Sequence, residues 1–216
     1  MLRYGNNLTL DVAAWSTTAV TEVGAQRLPP IADLAAAVRQ ALASPLDFPP
    51  LQQAVVPGDR ITLAIAPGIP RVGEVLRAII PMLQAAGISA HNIQILAAAE
   101  SEGGDELSEV AAVAEATLVA FERHEPGESA SLAYLAATHE AQPIYLHRAL
   151  VDADFVLPMG PARPAALGGL TAGSILYPRF SDARAETRAQ QALVRGGESA
   201  RQRLRRETDD VTWLMG

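Results

Sequence analysis

The sequence predicts an α/β fold, a Rossmann-like layered domain in which a largely parallel sheet is flanked by helices. Three observations carry that prediction. The first is the unit from Arg60 to Ala98. RITLAIA (60–66) reads as a buried strand, Pro67-Gly68-Ile69-Pro70 as a loop, and Val72 to Ala86 as a helix with Val75, Ile79, Met82 and Leu83 on one face. Gly87 stops the helix and Asn92 to Ala98 reads as the next strand. Strand, loop, helix and strand in that order make a right-handed crossover between parallel strands. The second is the apolar run Asp154 to Leu157, read as a buried strand ending in Pro158-Met159-Gly160. A loop rich in Gly, Pro and Ala follows it, leaving where a parallel strand would end, and in open α/β sheets that edge binds ligands. The third is composition: 49% hydrophobic and 19% charged residues describe a globular chain, and 5% aromatics leave its core to Ala, Leu, Val and Ile.

The remaining elements follow in order. Leu8, Leu10 and Val12 alternate after the turn-rich Tyr4-Gly5-Asn6-Asn7 and predict an opening strand or hairpin. Val20 and Val23 fit a short strand that ends at Pro29-Pro30. Asp33 caps a helix over Leu34 to Ala43, which Pro45 closes, and Leu51 to Val55 forms a short helical turn. Glu106 to Ala116 is helical and Leu118 to Phe121 a strand. Tyr134-Leu135 and Pro143 to Leu146 are paired short strands around a turn at Thr138 to Gln142, and Ala149 to Ala153 leads into the Asp154 strand. The segment from Ser181 to Thr208 is rich in Arg and Glu and predicts one or two solvated helices broken at Gly196-Gly197. Val211 to Gly216 is apolar enough to expect burial as a docked tail, or a junction with a further domain. The organisation read from this is one α/β domain over residues 1–180 and a charged helical segment over 181–216.

Charge and residue usage exclude several functions. A net charge of −7 and a pI near 5.1 argue against nucleic acid and anionic membrane as partners. The run Arg201, Arg203, Arg205 and Arg206 is flanked by Glu198, Glu207, Asp209 and Asp210 and has no aromatics between its members, so it reads as a solvated helix face. The absence of cysteine removes disulfides, thiolate metal sites and a Cys nucleophile. All 17 basic residues are arginine, so no lysine is there to serve as Schiff base or covalent tether. No signal peptide or spanning segment is visible, and the expected location is cytoplasmic.

The chain resembles the N-terminal domain of the nickel-dependent lactate racemase family. The resemblance rests on RYGNNLTLDV near the start, Val56-Pro57-Gly58-Asp59-Arg60, AAGISAHNIQIL, and LAYLAATHEAQPIYLHRALVDADFVLPMG with the Gly-rich loop after it. It implies the α/β fold and, for a typical member, racemisation through a nickel-pincer nucleotide. At the functional positions this sequence departs from the family. The family's first loop, Ser-Asp-x-Thr-Arg-Pro, is here Ala66-Pro67-Gly68-Ile69-Pro70-Arg71, with Pro67 in place of Asp and Arg71 one place beyond the expected arginine. Glu102 stands at the His of Gly-Thr-His-Arg, and Arg123-His124-Glu125 partly matches Asn-His-Asp. The family's Glu-Pro-His becomes Arg163-Pro164-Ala165, and Ile175 stands where a lysine tethers the cofactor. The bases needed on each face of the substrate carbon are therefore absent, and no cofactor is expected.

The expected function is that of a lactate-racemase-like domain without racemase activity. It would bind a small anionic or nucleotide-like ligand at the sheet's carboxyl edge. The residues expected to line that cleft are Pro67, Gly68, Arg71, Glu102, His124, Arg163, Gly168 and Gly169. Two alternatives stay open: a 2-hydroxy-acid isomerase completed by a further C-terminal domain, and a structural or regulatory subunit, with homo-oligomerisation also open. Glu100, Glu102 and Asp105 have the oxygen chemistry of hard-cation ligands. A solvated loop capping the next helix is favoured, and no metal site is predicted. Among the histidines, His91 and His139 read as exposed turn residues, His147 as a residue that could face a cleft, and His124 as a strand-end residue.

Overall fold

The computed structural model describes residues 2–4, 8–10, 29–98, 106–138, 141–161 and 172–215. Its contacts divide the chain into two units, Met1–Ala32 and Asp33–Gly216. In the first, β1 (Leu2–Tyr4) and β2 (Leu8–Leu10) pair antiparallel with Tyr4 opposite Leu8, so a strand precedes the turn-rich run as well as following it. The short strand expected near Val20 and Val23 lies outside the described residues.

The second unit opens with α1 (Leu34–Ala43), where the Asp33 carboxylate accepts from the Ala36 amide at 2.8 Å and satisfies one orphan donor of the first turn. A four-residue α2 (Leu51–Ala54) follows, then β3 (Ile61–Ile65), every residue of which is buried. The helix after it, α3 (Val72–Ala85), buries Val72, Leu76, Ile79, Ile80 and Leu83. The expected apolar face was therefore rotated: Val75 and Met82 are only partly buried at its margin. Gly87 ends the helix at φ +92°, left-handed backbone that favours glycine, and the Ile88 amide closes back on Leu83 O at 3.1 Å. β4 (Ile93–Ala98) then pairs parallel with β3, Ile61 opposite Ile93. Each fully buried Ile or Leu in this layer contributes about 1.5–3 kcal/mol of transfer free energy.

α4 (Glu106–Thr117) leads to β5 (Ala120–His124), so the strand runs two residues later than expected. The cause is Leu118. It takes φ +56° to end the helix and is 84% exposed, while Val119 turns inward with its amide on Ala114 O at 3.0 Å. β6 (Leu132–Ala137) and β7 (Pro143–His147) form an antiparallel pair with an irregularity between Tyr134 and Ala136, both strands longer than the short segments expected. The lead-in at Ala149 is a one-turn helix, α5 (Arg148–Val151).

β8 (Phe155–Met159) corrects a second expectation, because Pro158 lies inside the strand and its residues are half-buried instead of buried. The sheet order β5-β4-β3-β8 explains both facts. β8 is an edge strand, and a residue without an N–H is tolerated only where one side of the strand needs no partner. Its start is fixed by Asp154. The carboxylate accepts from the Arg60 amide at 2.9 Å and from the Arg60 Nε at 3.2 Å, while the Asp154 amide donates to Arg60 O at 2.9 Å. The last elements are α6 (Ala172–Leu176), α7 (Ala183–Val194) and α8 (Glu198–Leu214), the latter two separated at Gly196-Gly197 as expected. The terminal apolar run is only half hidden: Val211 is fully buried, whereas Trp213 is 82% exposed.

One face of the sheet packs Ile61, Leu63, Ile65, Ile93 and Ile95 against α3 and α4. The other packs Ala64, Leu96 and Ala98 against Leu150, Leu176 and Phe180. From β3 the chain winds outward through β4 to β5, then returns to place β8 on the opposite side of β3. That reversal makes the gap between the carboxyl ends of β3 and β8 the topological switch point. Among the described residues, no helix is long and apolar enough to cross a membrane.

Candidate functional site

The switch point is bounded by Ala66 to Arg71 after β3 and by Gly160-Pro161 after β8. The two loops touch: a Cβ built on Gly68 (φ +93°) would lie 3.6 Å from Pro161 Cγ. A Cβ on Gly160 would meet Ile175 Cγ1 at 3.1 Å and Ala66 Cβ at 3.4 Å. Gly160 is therefore the space into which Ile175 packs, and aliphatic side chains line the end of the β3–β8 pair. Of the residues expected to line a cleft, the structure brings Pro67, Gly68 and Arg71 to this edge. Glu102, Arg163, Gly168 and Gly169 lie outside the described residues, as do Ala165, Glu100, Asp105 and His139.

Polar chemistry at this edge comes from backbone amides and α4. Gly68 N–H donates to Glu106 Oε2 at 3.0 Å, and Gly73 N–H, in the first turn of α3, donates to Glu109 Oε2 at 3.2 Å. Carboxylate oxygens thus rest on the positive end of the α3 dipole. Arg71 adopts φ +56° and its Nε donates to Glu74 Oε1 at 2.7 Å. That hydrogen bond holds the Glu74 carboxyl below its ordinary range and raises Arg71.

His124, at the carboxyl end of β5, is fully buried. Its Nε2 lies 2.9 Å from Ser181 O, so this nitrogen carries the proton and Nδ1 is left as a buried acceptor without a hydrogen bond. Its ring meets that of His147 edge-on, with centroids 5.5 Å apart, and also faces Phe180. Burial pushes His124 down to about 4, and the neighbouring His147 adds to the shift, against the opposing hydrogen bond to Ser181 and the charges of Glu125 and Glu122. His147 is also lowered, first by burial, with Glu122 opposing. The Ser181 segment is pinned above this pair, because the His147 amide donates to Phe180 O at 2.8 Å and Ser181 Oγ to Tyr145 O at 2.6 Å. His91 is exposed in its turn, 2.7 Å from Ser89 Oγ.

The geometry defines an α/β domain of Rossmann-like winding whose switch point is lined by aliphatic side chains and edged by amides that already hold carboxylates. A profile of the lactate racemase N-terminal domain matches residues 4–176. The chain belongs to that family. Among solved structures it is similar to the lactate racemase apoprotein from Thermoanaerobacterium thermosaccharolyticum. The TM-score is 0.57 and the identity 15%, over 84% of this chain and 46% of that one. This chain therefore spans less than half the length of that racemase. No relative was found among curated proteins.

The position that the resemblance gives to the family's tethering lysine is Ile175, an aliphatic side chain that lies over Gly160. The sequence reading singled out neither the His124–His147 contact nor the polar row Thr62, Gln94 and Glu122. A signal was present for two of the three, since Thr62 and Gln94 each interrupt an otherwise apolar strand.

Proposed function

We propose that this chain is a lactate-racemase-family domain that works in the cytosol as a binding module, without nickel-dependent racemisation. Its ligand is small and anionic or nucleotide-like, held at the switch point. The observation that carries this reading is Ile175 packed over Gly160, at the position that the resemblance gives to the family's tether. Proton transfer at a substrate carbon needs a titratable group beside it, and an aliphatic wall supplies none. The Gly68 and Gly73 amides support the choice of an anion. Each already donates to a carboxylate oxygen of α4, and the oxygens of an incoming carboxylate or phosphate would exchange for Glu106 and Glu109 on the same donors. Arg71 lies between them in the chain, and Arg77 Nη1 would stand 3.3 Å from a Cβ on Gly73, so cations flank these donors.

The experiment is a lactate racemisation assay with nickel-pincer nucleotide supplied, run beside calorimetric titrations with inorganic phosphate, L-lactate and AMP. The expected result is no interconversion of lactate enantiomers and saturable heat with at least one anion, weakened in Arg71→Ala. Racemase turnover would overturn the non-catalytic reading, and silence with all three anions would overturn the ligand class. A second reading, a 2-hydroxy-acid isomerase completed by a further domain, is favoured by the match to only 46% of the solved racemase. Turnover by the full-length gene product alone would select it.

A further inference from the structure

We propose that the opposite, amino-terminal end of the sheet carries a second binding site, for an aliphatic zwitterion of amino-acid size. Strands of a parallel sheet covered on both faces are normally apolar on both. On the α3–α4 face β3 and β4 obey that rule, but on the other face they do not. Thr62 and Gln94 are register partners on β3 and β4, and Glu122 on β5 stands one rung further, opposite Leu96. Three polar side chains on three neighbouring strands thus share one patch, where a core would take Val, Ile or Leu.

A cavity of about 460 Å³ opens over this patch, lined also by Ile61, Ile93 and Ala120 at the amino ends of the three strands. That volume falls within the roughly 300–1,000 Å³ range of small-molecule sites. Its far wall includes His147, Arg148 and Asp152. His147 is the second, independent sign of a ligand. It is only 2% exposed, and its Nδ1 accepts from the Ala149 amide at 3.2 Å, which fixes the proton on Nε2. Nε2 lies 3.2 Å from Glu122 Oε1 but outside hydrogen-bond alignment, so a buried donor in the cavity wall lacks a partner. With its proton in place, this nitrogen cannot ligate a metal, but it can donate to a ligand oxygen.

The charges choose the ligand class. Glu122 receives Gln94 Nε2 on Oε2 at 2.7 Å, which leaves Oε1 for a ligand ammonium. Arg148, whose Nη2 reaches Leu132 O at 3.4 Å, keeps further guanidinium donors for a carboxylate, alongside His147 Nε2. A carboxylate and a guanidinium in the lining of one cavity fit a molecule carrying both charges. No Phe, Tyr or Trp lines the cavity, so a nucleobase or sugar ring would find no stacking surface.

The test screens the common amino acids singly by thermal shift and then by calorimetry, with methylamine and acetate as single-charge controls. Glu122→Gln and Arg148→Ala are run in parallel, both at solvent-reached positions where circular dichroism will confirm folding. At least one amino acid should bind saturably, with affinity weakened about tenfold or more in each variant, the loss expected for one charge-assisted contact. The proposal is overturned if no amino acid binds, if binding is unchanged in both variants, or if methylamine or acetate binds as tightly as the zwitterion. None of these outcomes depends on what the switch point binds.

Discussion

Acidification should unfold this protein early, and His124 sets the size of the effect. The ring is buried and neutral, with its folded value pushed down to about 4, whereas in the unfolded chain it takes the ordinary value near 6.5. Above about pH 6.5 neither state binds the proton and the stability is intact. Between there and pH 4 the unfolded chain takes up a proton that the folded one refuses, so stability falls as pH falls. The loss from this one group is roughly 2 kcal/mol by pH 5 and about 3 kcal/mol by pH 4. For a domain of this size that is a large share of the total. Urea denaturation at a series of pH values measures it, with His124→Gln as the comparison. A glutamine amide replaces Nε2–H as the donor to Ser181 O but does not titrate. Wild type should lose about 2 kcal/mol more than the variant between pH 7 and 5. Parallel pH profiles, or an NMR titration of His124 near 6.5, would show that the reasoning fails.

Two further predictions concern close packing. Gly160→Ala should destabilise by about 1–3 kcal/mol, because its new methyl meets Ile175, and adding Ile175→Ala should recover part of that loss. Additive single effects in the denaturation cycle would mean that Ile175 does not fill the space over Gly160. Gly173→Ala should be more damaging, since its Cβ would run into Thr212 Oγ1 and the Thr208 carbonyl of α8. A fall in Tm of at least several degrees is expected, with no rescue from Thr212→Ala because the Thr208 backbone cannot retreat. An unchanged Tm would place α8 elsewhere.

The crossover from β3 to β4 was legible because three signals agreed over it: an apolar run, a Gly stop and an amphipathic period. Its strand and helix ends fell within a residue of the expectation. β5 was displaced because Leu118, an apolar residue that reads as strand, is spent on ending α4 in left-handed backbone. Pro158 was read as a stop because a lone sequence does not say that its strand has one neighbour and not two. At the switch point, the identities of Pro67, Arg71 and Ile175 were legible residue by residue, but the packing of Ile175 on Gly160 was not. The polar patch at the sheet's other end was hidden for a similar reason. Thr62, Gln94 and Glu122 each look like an isolated exception, and only strand register puts them on one face. The meeting of His124 with His147 needed the antiparallel β6–β7 pair folded back over the sheet.

Pro158 has a consequence for assembly. Among the described residues no strand pairs with the outer rim of β8, and such a rim is the kind of edge through which sheets of separate molecules join into larger ribbons. Pro158 sits within that five-residue strand, opposite Ala64, and presents no N–H outward. A second molecule laid along this rim would forfeit a rung near the middle of the ladder, and on so short a strand that removes much of the gain from pairing. The residue that made the strand hard to read is the one that keeps its edge from templating another copy.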